Sequence, residues 1–67
     1  MTKMVKVNGM MCMHCVAHVK AALEALPQVD AAEVSLEDKQ ATLHLNAEVS
    51  DEAVRAAVEQ AGYTVEE

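Results

Sequence analysis

The chain has 67 residues, 11 of them acidic and 5 basic, for a formal net charge of −6. That length allows one small domain, 1–67, which buries only about 60% of the surface its unfolded chain exposes. The acid excess excludes the basic footprint that nucleic acid requires and disfavours direct binding to anionic membranes, leaving partners with basic patches.

Thr2 to Val7 reads as a strand, with Val5 and Val7 on one face and Lys6 and Asn8 on the other. Gly9 permits a sharp turn that a side chain would resist. The segment Gly9-Met10-Met11-Cys12-Met13-His14-Cys15 follows. It holds both cysteines, three of the five methionines and one of the three histidines. A helix is expected from about Met13 to Leu26. Val16, Val19, Leu23 and Leu26 form its apolar stripe, widened by Ala22, and Pro27 ends it.

Val29 to Leu36 reads as a second strand, with Ala32, Val34 and Leu36 inward. Glu37 to Gln40 is a polar turn. Ala41 to Leu45 returns as a third strand, with Thr42 and His44 outward, and the short connection makes the two a hairpin. Ser50 suits the N-cap of a second helix, with Asp51 and Glu52 at the positive end of its dipole. Val49 and Val54 are placed for a staple. Val54, Ala57, Val58 and Ala61 make the buried stripe, and Gly62 is a helix stop. Tyr63 to Val65 forms a last short strand. The order strand–helix–strand–strand–helix–strand predicts an α+β, ferredoxin-like βαββαβ sandwich, with two helices on one face of a four-stranded antiparallel sheet.

The chain has no Trp or Phe and one Tyr, so its core is built from Val, Leu, Ala and Met. Two cysteines are too few for a secreted disulfide framework and point to metal or redox chemistry in a reducing compartment. No apolar run resembles a signal peptide or membrane span. We therefore expect a soluble cytoplasmic protein. No nucleophile–base or carboxylate pair is visible, so we expect no enzyme.

Cys12 and Cys15, two residues apart where a strand gives way to a helix, can close on one ion. Unpaired N–H groups and the dipole at a helix N-terminus favour their thiolates. A thiolate pair suits a soft ion such as Cu(I). A small thiol–disulfide redox protein is the alternative of another class, although the chain is short for that fold. A Cys₂His₂ set with His14 and His18 would need four side chains to converge from barely one helical turn.

The segment from Gly9 to Cys15 resembles the Gly-Met-X-Cys-X-X-Cys motif of the heavy-metal-associated (HMA) domain family. Leu26-Pro27-Gln28-Val29 and Ala61-Gly62-Tyr63 extend the likeness to essentially the whole chain, which is most similar to small bacterial copper chaperones of the CopZ type. The resemblance implies that Cys12 and Cys15 bind Cu(I). It implies handover to the N-terminal domains of a copper-transporting P-type ATPase, or to a copper sensor such as a repressor. An excised N-terminal domain of such an ATPase is the alternative within the family. The resemblance also places Met10 in the core and Tyr63 near the metal loop, where its hydroxyl can reach a cysteine sulfur. The family usually carries Thr or Ser before the first cysteine, and this chain has Met11. The change removes a hydroxyl available for capping and adds a soft thioether. It offers Zn(II) no oxygen ligand, which favours Cu(I). Met11, His14 and Tyr63 are thus the residues expected to support the pair. Met11 and Met13 are expected on the surface, where a partner, or a second copy in a copper-bridged homodimer, would cover them.

Overall fold

The computed structural model describes residues 1–66, so Glu67, within the expected span 1–67, lies outside the described residues. Its elements are β1 (Thr2–Asn8), α1 (Met13–Glu24), β2 (Val29–Ser35), β3 (Gln40–Leu45), α2 (Asp51–Gln60) and β4 (Thr64–Glu66). The strands form one antiparallel sheet in the order β2-β3-β1-β4. Both helices pack on one face of it, which is the ferredoxin-like arrangement.

One core fills the space between sheet and helices. Val7, Leu43 and Ala41 from the sheet meet Val16, Val19 and Leu23 of α1 and Val54 and Val58 of α2. Among the described residues no polar or charged side chain is buried. The two helical stripes are the expected ones, with Ala22, Leu26 and Ala61 half-buried at their margins. Val49 and Val54 both lie in the core, as a staple requires.

Helix α1 ends two residues before the expected Leu26. The Leu26 N–H bonds the Leu23 carbonyl in a tight turn, because Pro27 disfavours helical geometry in the residue before it. Strand β2 departs from simple alternation. Its pairing steps from Val29↔Leu45 to Ala31↔His44, leaving Asp30 as a bulge. The extra residue turns both Val29 and Ala32 into the core, although they are three apart. Val29 thus joins the inward face expected for Ala32, Val34 and Leu36.

Tyr63 does not begin the last strand; β4 starts at Thr64. Gly62, at φ +97°, closes α2. Its N–H bonds the Glu59 carbonyl and the Tyr63 N–H bonds the Val58 carbonyl, the paired bonds of a Schellman motif. That motif spends Tyr63 on the helix stop and frees its ring from the sheet's alternation. Among the described residues no helix is long and apolar enough to cross a membrane.

Candidate metal centre

Gly9 leaves β1 at φ +100°, a left-handed conformation that residues with a Cβ resist. A Cβ there would also stand 3.3 Å from Cδ1 of Tyr63, so the ring lies against the bare glycine. Met10 then turns inward and is buried, anchoring the loop in the core as expected. The next residues face solvent: Met11 is 88% exposed and Met13 67%.

Cys12 occupies the N-cap of α1 in extended conformation, and its side chain makes no capping bond. The capping position is therefore Cys12, not Met11. The expectation that Met11 costs the helix a capping hydroxyl is corrected, since residue 11 lies one position too early. Cys15 sits in the first turn of α1 and is half-buried against the core. The two sulfurs are 3.5 Å apart, and both thiols are free.

The surroundings favour the Cys15 thiolate. The Tyr63 hydroxyl, backbone N–H groups of Met11 and Cys12, and the Cys12 thiol together lower its pKa from 9.0 to about 7, against an opposing push from burial. Tyr63 is raised in turn, chiefly because its hydroxyl donates to Cys15. The fold thus brings Tyr63 to the pair, carried by the stop of α2.

It does not bring the histidines. His14 is exposed, with no bonding partner among the described residues. His18 points instead to the groove between α1 and α2. Among the described residues no three His, Cys, Asp or Glu side chains converge on one point, so no Cys₂His₂ set forms. His44 stands on the outer sheet face, 3.7 Å from Glu33. The contact of Gly9 with Tyr63 escaped the sequence reading. Its only signal was a glycine at each end of the two segments that meet.

The heavy-metal-associated domain family matches residues 4–64. The chain is 41% identical over 64 residues to a mercuric reductase of Shewanella putrefaciens, covering 96% of this chain but 12% of that enzyme. It is 39% identical to the copper chaperone CopZ of Staphylococcus epidermidis, covering 94% of each. A copper-transporting ATPase of Rhizobium meliloti is 40% identical over 57 residues, 7% of its length. The solved structure of a CopZ metallochaperone superposes with a TM-score of 0.90 at 31% identity, covering 98% of this chain and all of that one. The chain thus spans a small part of the reductase and the ATPase but nearly the full length of the chaperone.

Proposed function

The chain belongs to the heavy-metal-associated domain family, and from that premise we propose that it is a cytoplasmic Cu(I) chaperone, with Cys12 and Cys15 as the metal ligands. One observation carries the reading: two thiols 3.5 Å apart at an exposed helix N-terminus, with no third ligating side chain converging among the described residues. An ion held by two thiolates at bonds of roughly 2.3 Å, the length zinc makes to sulfur, spans that gap at a bent angle. Its open side faces solvent. A soft ion tolerates two or three sulfurs, so an incoming thiolate can join before an outgoing one leaves.

Delivery then proceeds by ligand exchange. A partner thiolate adds to the copper, a three-sulfur species forms, and one chaperone cysteine departs and takes up a proton; a second such exchange at the other cysteine passes the ion to the partner. The partner on this reading is an N-terminal domain of a copper-transporting P-type ATPase, with a copper-responsive repressor as a second recipient. Met11, Met13 and His14 would meet the partner at the rim. The protein carries its ion as cargo and catalyses nothing.

Two further readings have specific support. The identity to a copper-transporting ATPase over a short stretch fits a metal-binding domain of such a pump. The identity to a mercuric reductase fits a mercuric-ion-binding domain. The thiol–disulfide alternative is weakened by the sheet, whose strands pair only antiparallel among the described residues, whereas a redox Cys-X-X-Cys is expected beside a βαβ unit of parallel strands. The deciding experiment is anaerobic competition among Cu(I), Zn(II) and Hg(II), with X-ray absorption of the bound ion and the Cys12→Ser, Cys15→Ser double variant as control. We expect Cu(I) held by sulfur with affinity well above Zn(II), and no tight binding in the double variant. Undiminished Cu(I) affinity in that variant would remove the ligand assignment. Hg(II) retained against excess Cu(I) and a chelator of matched strength would favour the reductase-like reading.

A further inference from the structure

The thiol pair leaves His14 and His18 unused. They are two of the three histidines in the chain. Both lie within α1 and both are exposed. Four residues along an α-helix turn through about 400°, so their Cα–Cβ bonds point only about 40° apart, roughly 6 Å apart along the axis. Residues at this spacing are neighbours on one face, with Cβ atoms about 5–6 Å from each other. Two imidazoles leaning together from such positions can grip one ion, since each nitrogen–metal bond adds only about 2 Å. Paired histidines one helical turn apart hold Zn(II) elsewhere for this reason.

Nothing competes for the two rings. Neither has a hydrogen bond or ion pair among the described residues. His44 differs, standing 3.7 Å from Glu33 on the outer sheet face. His18 lines an open groove of about 750 Å³ between α1 and α2, walled mainly by alanines. Gln60 is the one other polar side chain among its lining residues, and no lysine or arginine stands there to repel a cation. The net charge of −6 draws cations to the whole molecule. Cys15, between the two histidines in sequence, is half-buried against the core instead. A second ion at the imidazoles therefore needs neither sulfur.

We propose that His14 and His18 form a second metal site, which takes a divalent ion of intermediate softness, such as Zn(II) or Ni(II), with water in its remaining positions. Imidazole suits these ions, whereas the thiolate pair suits a softer one. The start of α1 thus carries two sites that sort ions by softness. The site does not depend on which ion the sulfurs hold. A Cu(I) ion between two thiolates leaves a net charge of −1, which attracts a dication rather than repelling it. Binding also steadies the helix. Helix α1 starts on Cys12 with no capping bond, and an ion gripping His14 and His18 clips its first two turns together. An ion that binds only the folded helix raises the stability of the fold.

Zn(II) titration of the Cys12→Ser, Cys15→Ser variant, which lacks both thiols, tests the site. It is followed by nitrogen-15 NMR of the imidazoles at slightly alkaline pH, where imidazole is a neutral ligand. We expect saturable shifts at His14 and His18, none at His44, and a melting temperature that rises with Zn(II). Adding His14→Ala or His18→Ala should weaken binding about tenfold or more, the loss of a second grip on one ion, and cancel the rise in melting temperature. Lys20→His in the His18→Ala background restores the number of histidines but sets the new ring six residues from His14, on another face. It should not restore binding. If the thiol-free variant does not fold, Ni(II) added to the Cu(I)-loaded parent decides, by paramagnetic broadening around His14 and His18 that His18→Ala removes. Undiminished binding in the alanine variants, recovery with Lys20→His, shifts centred on His44, or no saturable binding overturns the proposal.

Discussion

Setting a phenol beside a thiol drives their titrations apart. The Tyr63 hydroxyl donates to the Cys15 thiolate and is the largest of the causes that together lower that pKa to about 7, and Tyr63 itself is raised. The consequence for stability has a definite sign. A group whose folded pKa is depressed contributes stability above its unfolded value, here near 9, and loses it as pH falls through about 7. Tyr63→Phe removes the largest cause of the depression. Iodoacetamide alkylation of the reduced, metal-free protein should therefore show the Cys15 midpoint moving upward in Tyr63→Phe, with the two curves converging above pH 9. Urea unfolding should find the variant's deficit larger at pH 9 than at pH 6. Superimposable alkylation curves would leave the ring with its contact to Gly9 as its only role. Ligand assembly gains from the same shift, because thiols must lose protons before they bind metal, and a thiol near neutrality is half ionised already.

The two helices begin in opposite ways, and the contrast separates function from folding. Helix α2 has Ser50 at its N-cap, accepting the Ala53 N–H at 3.1 Å, with Asp51 and Glu52 in the first turn. Asp51 also pairs with Lys3 of β1, which lowers its pKa and ties the helix to the sheet. Helix α1 starts on Cys12 with no capping bond and no acid in its first turn. A cysteine there forgoes a good cap so that a sulfur can stand at the helix entrance. Ser50→Ala should cost about 1 kcal/mol of stability. Cys12→Ser should do the reverse in the metal-free protein, gaining about 0.5–1 kcal/mol by restoring a capping hydroxyl. Cys15→Ser, one turn inside the helix and half-buried, should gain nothing. Thermal melts of the reduced, metal-free variants check the ranking. A Cys12→Ser protein less stable than the parent would show that the sulfur serves the fold. Both helices were legible in the sequence because their stripes repeat at helical spacing and carry stop signals at Pro27 and Gly62. The bulge at Asp30 was not. It breaks the period of two on which strand reading rests, and its cause is tertiary: Val29 and Ala32 must both reach the core. The Glu24 carboxylate on the Ala32 N–H was hidden for the same reason, since no local pattern signals a contact between a helix and a strand edge.

At the scale of the molecule, the order of elements was legible because each strand and helix carried its own pattern, and the family motif located the cysteine loop. Where Tyr63 and Gly9 meet was not, because that contact joins the two ends of the fold. The same loop bears on assembly. Met11 and Met13, 88% and 67% exposed, flank the thiol pair, which on the proposed reading would leave one side of a held ion open. A second chain can offer its own Cys12 and Cys15 across that ion and cover both thioethers, removing apolar surface from water. Each chain carries −6, which opposes the approach. Salt screens exposed charges beyond about 8 Å at physiological ionic strength, while metal–sulfur bonds are indifferent to it. The expected outcome is a metal-free monomer and a copper-bridged dimer whose association strengthens as salt is added. The dimer would share its sulfur set with the handover complex, so Met11→Ser and Met13→Ser should weaken both in parallel. Analytical ultracentrifugation across copper:protein ratios, at low and high salt, measures this directly. A protein that stays monomeric at every ratio and high concentration rules the dimer out. A dimer that weakens with salt would instead point to attraction between local charges at the contact, overriding the repulsion of the two net charges.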